Sequence, residues 1–231
     1  MNNNFENPVF VTGLPRTGTS MTAGSLASLG LFAGDTILGD AQNPKGYFEN
    51  LFIRENIIKV LLNKLGACPL GIKKFPLTNS HKRLQLEKGF LQKALNLVLE
   101  QQGFQGETRW MLKDAKLTLL WEIFSEQFPN AIWIVVRRNR HSFINSCLKT
   151  SFMRQHSEKE SFWNNVAEHY DQRLRALIVS VSTSFEVDTD QLVSGNYESI
   201  ASICDHVGLT FSKDKLDSFI CPSLWTNNKG A

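Results

Sequence analysis

No two of the chain's four cysteines stand close together. Cys68, Cys147, Cys204 and Cys221 form no CxxC pair, which argues against a disulfide framework or a zinc ribbon and leaves reduced, mostly buried thiols. No apolar run approaches the roughly 20 residues that a membrane helix needs. The opening MNNNFENP has no basic stretch followed by an apolar one, so nothing in it marks a secretory leader, and a cytoplasmic protein is expected. Charge of one sign is also scarce. The net charge is +3, with Lys and Arg spread along the chain, which suits an anionic ligand but is too weak to indicate nucleic acid. No internal repeat, low-complexity tract or linker is visible.

What is there fits one ordinary globular unit. Apolar residues make up 42% and charged residues 20% of 231, enough for a single α/β domain with one sizeable core. Sixteen Phe and five Trp suit a well-filled core and could supply an aromatic-walled pocket.

Short apolar runs alternate with helical periodicity. Residues 8–12 (PVFVT), 110–113, 131–136 (AIWIVV) and 185–187 read as strands. Helical patterns occupy the stretch from Thr19 to Gly30 and residues 51–65, 81–101, 117–128, 140–150, 158–181 and 197–207. Residues 35–50 read as a loop, with Asn43-Pro44 and Lys45-Gly46 as turn signals. The pattern predicts a three-layer α/β fold, a P-loop-type parallel sheet flanked by helices, as one domain over residues 1–231. Residues 1–7 and 226–231 are expected to be flexible.

The segment GLPRTGTSMT lies between the first strand and the first helix, where an open parallel sheet places its ligand. A glycine-bracketed turn can aim successive backbone N–H groups inward, and the helix N-terminus adds partial positive charge. Thr17, Thr19 and Ser20 add hydroxyls, and Arg16 a fixed fork of N–H donors. Gly13-x4-Gly18 imitates the GxxxxGK[ST] pattern, except that Thr19 stands where the lysine would be. That substitution disfavours an ATP or GTP hydrolase. The bland alternative is a tight turn whose hydroxyls cap the helix.

A second basic segment follows AIWIVV. Seven residues separate Arg138 from Ser146, a cation at the strand end and a hydroxyl on the next helix, which could converge on a phosphate. Arg140, His141 and Lys149 add to the positive field. Such residues are more often a solvated rim, and the segment gains weight only from sharing a sheet edge with Gly13–Ser20.

Together these motifs resemble the sulfotransferases that use 3′-phosphoadenosine 5′-phosphosulfate (PAPS). GLPRTGTS is similar to their 5′-phosphosulfate loop, and Arg138-x7-Ser146 to their 3′-phosphate motif. NPKGYFEN (43–50), WMLKDAK (110–116), DTDQLVSGNYESIASICDHVGL (188–209) and FICPSLW (219–225) look similar too. Three features depart from the pattern. Asn139-Arg140 stands where Asp/Asn-Pro is usual, leaving Arg137 and Arg138 both open as the 3′-phosphate ligand, with Arg138 preferred on spacing. Ala115 stands where Pro is common, and Lys229-Gly230 only faintly echoes the loop that covers the nucleotide.

The resemblance implies a cytoplasmic transferase without a metal, using PAPS as co-substrate and a small-molecule or carbohydrate acceptor. Gly13, Pro15, Arg16, Thr17, Gly18, Thr19, Ser20, Arg138 and Ser146 would bind the donor. Arg16 would stabilise charge on the leaving oxygen, Lys113 would reach the donor or acceptor sulfate, and Glu49 would be the base. Glu49 has the alternative of a helix-start carboxylate, and His141 is its rival as base. Lys113 has the alternative of a salt bridge with Asp114 or another acid, and Asp114 that of a cap for the segment starting at Lys116. Residues 51–105 and 152–182 would form a helical cover over the acceptor cleft. Phe52, Phe75, Phe152, Phe162 and Trp163 are candidate wall residues, equally suited to ordinary core. A P-loop small-molecule kinase and a non-catalytic nucleotide-binding protein of the same fold are the competing readings.

Overall fold

The structure, a computed structural model, describes residues 4–76, 82, 84 and 86–225. Four strands, β1 (Val9–Gly13), β2 (Met111–Lys113), β3 (Ile132–Arg137) and β4 (Thr183–Asp188), pair in parallel in the order β2-β1-β3-β4. Around them lie α1 (Thr19–Leu29), α2 (Leu51–Ile53) and α3 (Lys59–Lys64), the last two joined by a π turn at Arg54–Ile58. Then come α4 (Phe90–Gln101), α5 (Leu117–Gln127), α6 (Arg140–Lys149), α7 (Ser151–Arg154) and α8 (Glu160–Ser180). The chain closes with α9 (Thr189–Val193), α10 (Glu198–Val207), α11 (Lys213–Phe219) and a 3₁₀ turn at Pro222–Leu224.

Every residue of β1 is buried, as expected of a parallel strand covered on both faces. Side-chain alternation splits the core in two. Val9, Val11, Met111, Ile132, Ile134 and Val136 meet Leu26 of α1, Ile200 and Ile203 of α10 and Leu216 of α11. On the other face Phe10, Leu112, Trp133 and Val135 meet α4, α5, α6 and α8. Phe10 is the hub there, with edge-to-face rings of Trp133, Phe124 and Phe128 at 4.9, 5.5 and 5.5 Å.

The strand order decides where a ligand fits. From β1 the chain passes to one side to form β2, then returns beyond β1 to form β3. The connection reverses between β1 and β3, and a crevice opens outside their carboxyl ends. Both anion motifs follow those two strands.

Several boundaries differ from the sequence expectation. The expected helix at 81–101 begins at Phe90, because Gly89 holds a left-handed φ of 79°; residues 77–81, 83 and 85 lie outside the described set. Trp110 stands just outside β2, in an isolated bridge with Phe32. The short helices α7, α9 and α11 have too few turns to show periodicity. Residues 1–3 and 226–231 lie outside the described residues, and with them Lys229-Gly230. Asn4 donates to the Gly106 carbonyl at 2.7 Å and Trp110 Nε1 to that of Phe5 at 3.1 Å.

Candidate active site

The loop after β1 begins at a glycine that nothing else could replace. Gly13 has φ 155°, and a Cβ there would lie 2.5 Å from the Val136 carbonyl oxygen of β3. Thr12, one residue earlier, locks the strand end to α5. Its Oγ1 donates to the Asp114 carbonyl at 3.0 Å and accepts from the Thr118 N–H at 3.0 Å. Arg16 adopts φ 66° and Gly18 φ 91°, so two left-handed residues curl the chain before α1. For Arg16 that conformation is costly, of the kind concentrated at functional sites. Helix α1 has no acidic residue in its first turn, so the N-terminal field stays positive.

The Thr17 hydroxyl donates to the Leu14 carbonyl at 2.7 Å, which braces the loop.

The second motif folds onto the first. Asn139, in the place of the usual Asp/Asn-Pro, caps α6: its Oδ1 accepts from the N–H groups of His141 and Ser142 at 2.9 and 3.3 Å. Arg138 donates through Nη1 to the Arg16 carbonyl at 3.2 Å, and Arg16 Nε donates to Ser146 Oγ at 3.3 Å. Thr189 Oγ1 bridges the Thr17 and Arg137 carbonyls at 2.9 and 3.0 Å, knitting in the end of β4. Arg137 points elsewhere, to Glu186 at 2.7 Å and Asp171 at 3.6 Å.

Lys113 ends β2 in register with Val11. Its Nζ lies 2.8 Å from Glu49 Oε1 and donates to Ser20 Oγ at 3.2 Å. The acid partnered is therefore Glu49, not Asp114. Lys113 and Glu49 are only 4% and 15% exposed, and Arg54 in the π turn holds the other Glu49 oxygen at 3.2 Å. Glu49 reaches this place because Phe48 turns the chain with φ 56°. The Phe48 ring packs on Phe219 at 5.7 Å, over Gly24 of α1, where a Cβ would strike both rings. Burial alone would raise the pKa of Glu49. The charges of Lys113 and Lys116, with hydrogen bonds from Lys113 and Arg54, outweigh it and hold the carboxyl at about 2.

Asp114 departs to its own partners. Its Oδ1 accepts from the Lys116 N–H at 2.8 Å and pairs with Lys116 Nζ at 2.8 Å, so it caps the turn leading into α5. Burial pushes its carboxyl above the ordinary range, against the pull of Lys116.

A cavity of about 660 Å³ joins these groups. Pro15, Arg16, Gly18, Thr19, Ser20, Glu49, Lys113, Arg138 and Ser146 all line it. Gly13, Thr17, Arg137 and His141 do not; His141 is exposed on α6. Of the candidate wall residues only Phe152 lines the cavity. Trp163 is core, Phe162 packs on it, Phe75 stacks on His169, and Phe52 is half exposed.

Among the lining residues that sequence reasoning gave no role are Lys116, Tyr170 and, as a wall, Trp225. The Trp225 ring lies 3.9 Å from the Arg138 guanidinium, and its Nε1 donates to Asp190 Oδ1 at 3.0 Å. Trp225 ends the FICPSLW stretch, whereas no local pattern marks Tyr170, which only packing brings to the site.

The profile of the sulfotransferase family matches residues 8–213. No curated protein matches the chain in sequence. Among solved structures, the sulfotransferase domain from the curacin biosynthetic pathway superposes with a TM-score of 0.62 at 15% identity, covering 96% of this chain and 81% of that one. The sulfotransferase domain of the Synechococcus PCC 7002 olefin synthase gives 0.59 at 16%, covering 97% and 90%. Sulfotransferase STF1 from Mycobacterium tuberculosis H37Rv gives 0.53 at 16%, covering 93% and 70%. At such identities these structures bear on the fold alone. Among the described residues no helix is long and apolar enough to cross a membrane.

Proposed function

The chain belongs to the sulfotransferase family, and we propose that it moves a sulfuryl group from PAPS to a hydroxyl or amine of a small-molecule or carbohydrate acceptor. One observation carries the choice of donor: Arg16 contacts Ser146, and Arg138 the Arg16 carbonyl, on the wall of a single cavity. Two anion sites side by side fit a nucleotide with phosphate groups at two positions. Thr19, where a kinase of this loop type carries lysine, weighs against ATP.

Gly18, Thr19 and Ser20, at the start of α1, would cradle the phosphosulfate. Arg138 and Ser146 would take the 3′-phosphate, an arginine fork beside a hydroxyl. Pro15 shapes the turn, while Gly13 and Thr17 keep it closed from behind.

Sulfuryl transfer builds negative charge on the oxygen bridging sulfur and phosphate. A preorganised cation there supplies the largest electrostatic share. Arg16 has this role as a fixed charge, not as a proton donor. Lys113 turns from Glu49 to the sulfuryl oxygens, and Glu49, relieved of its nearest counter-charge, becomes the stronger base. The sulfur–oxygen bond to phosphate breaks, the bond from sulfur to the acceptor oxygen or nitrogen forms, and the acceptor's proton passes to Glu49. No metal enters this scheme.

Thermal denaturation with nucleotides tests the donor. 3′-Phosphoadenosine 5′-phosphate should raise the melting temperature and ATP–Mg²⁺ should not; the reverse pattern rejects PAPS in favour of a kinase. Radiolabel transfer from PAPS into mixed acceptor extracts then tests the reaction, and binding without transfer would mark a non-catalytic nucleotide-binding protein.

A further inference from the structure

One wall of the cavity comes from the segment after α11. Leu216 and Ile220 anchor that helix and its exit, both buried in the core on one face of the sheet. The 3₁₀ turn at Pro222–Leu224 then brings Trp225 back to the anion motifs, where it lines the cavity. There the indole is held on two sides. Its Nε1 donates to Asp190 Oδ1 of α9 at 3.0 Å. Its six-membered ring lies against Gly18, where a Cβ would meet Trp225 Cη2 at 2.9 Å and Thr189 Cγ2 at 2.7 Å. Thr189 in turn ties the Thr17 and Arg137 carbonyls together, so the indole sits against a braced frame.

The face of that indole meets Arg138. The guanidinium carbon lies 3.9 Å from the ring centroid, and Nη1 donates to the Arg16 carbonyl at 3.2 Å. Arg137, one residue earlier, shows the other way to fix an arginine: Glu186 at 2.7 Å and Asp171 at 3.6 Å neutralise it. A ring and a carbonyl carry no net charge, so they fix a guanidinium and leave its positive charge for an incoming anion. An arginine that a ligand must order loses much rotamer freedom on binding. A contact that orders it beforehand removes that penalty.

We propose that Trp225 is a positioning residue for donor binding: its ring presets the Arg138 guanidinium for the 3′-phosphate through a contact that leaves the charge uncompensated. It acts on Arg138, outside the bond-making step. The inference rests on the reading that Arg138 meets the 3′-phosphate, and it makes the segment after α11 a determinant of the donor's affinity.

The test is titration calorimetry on the full chain with 3′-phosphoadenosine 5′-phosphate and adenosine 5′-phosphate. The ratio of the two affinities isolates the 3′-phosphate, whereas general damage to the fold or to the shared nucleotide pocket weakens both alike. In the parent the ratio should be about tenfold to a hundredfold, the worth of a charged hydrogen bond. Trp225→Leu and Trp225→Met should each cut it by about twofold to fivefold, the size of one partly exposed cation–π contact. Trp225→Phe, which keeps a ring face, should retain most of it. In an Arg138→Ala background, Trp225→Leu should leave the ratio unchanged, because the effect runs through Arg138. Thermal melts show which variants are folded, and two non-aromatic variants guard against failure of one.

An unchanged or larger ratio in the non-aromatic variants overturns the inference, whatever happens to the two affinities together. So does a loss in Trp225→Phe as large as theirs, or an effect of Trp225→Leu that persists without Arg138. The donor reading is judged separately, on the parent. If the parent binds the two nucleotides alike, that reading falls and takes the inference with it; if the parent discriminates and the variants do too, the inference alone falls.

Discussion

Arg16 and Ser146, 130 residues apart in sequence, touch through Nε and Oγ at 3.3 Å. The contact crosses from the loop after β1 to the second turn of α6. It brings a charged fork and a hydroxyl together where the connection of the sheet reverses. Arg138 reaches the same loop through the Arg16 carbonyl, so the two anion motifs share one wall.

Arg16→Ala separates catalysis from nucleotide binding. Turnover should fall on the order of a hundredfold or more, as on losing one preorganised charge-stabilising donor. Affinity for 3′-phosphoadenosine 5′-phosphate should stay within about tenfold, because Arg138 and the α1 N-terminus remain. Initial rates with PAPS and titration calorimetry read the two quantities.

The neighbouring arginines should behave unequally. Arg138 lines the cavity, whereas Arg137 is engaged with Glu186 and Asp171. Arg138→Ala should weaken nucleotide binding by about tenfold to a hundredfold, the worth of a charged hydrogen bond. Arg137→Ala should change it less than about threefold. Equal effects in calorimetry would contradict the assignment.

Glu49→Gln should lower kcat by about a hundredfold to ten-thousandfold, the range for removing a general base. It should also leave a signature in stability against pH. The folded carboxyl sits at about 2, below its ordinary 4.5. The ion pair therefore stabilises the fold fully above about 4.5, and this is lost as pH falls from there toward 2. The stability difference between the parent and the variant should shrink over that window in urea melts.

Gly13→Ala should damage fold and site together. The added Cβ meets a backbone carbonyl at 2.5 Å, and φ is 155°, so neither atom can yield cheaply. A loss of at least ~2 kcal/mol is expected, which lowers Tm by about 4–8 °C in a chain of this size. Calorimetric melting checks it; an unchanged Tm would mean that β1 and β3 can separate there.

Much of the fold was legible because parallel strands buried on both faces read as unbroken apolar runs: VFV and IWIVV stand out without help. β4 is weaker in sequence, because an edge strand with half-buried and exposed positions carries no such run. The loop after β1 was legible for a different reason: its backbone demands glycines at fixed offsets, and Gly13 and Gly18 meet that demand. The ion pair of Lys113 with Glu49 was not legible, because 64 residues separate them and several acids could have served. Nor was the opposite fate of Asp114, which follows from its burial beside Lys116.

By itself the sequence determined a parallel α/β sheet and the two basic turns at its carboxyl edge, because backbone periodicity and left-handed glycines are local properties written in consecutive residues. Only the tertiary structure decided which arginine enters the cavity, which acid meets Lys113, and that Trp225 and Tyr170 belong to its walls. Those pairings depend on which strand lies beside which and on what burial does to each charge, and both are fixed only when distant segments pack.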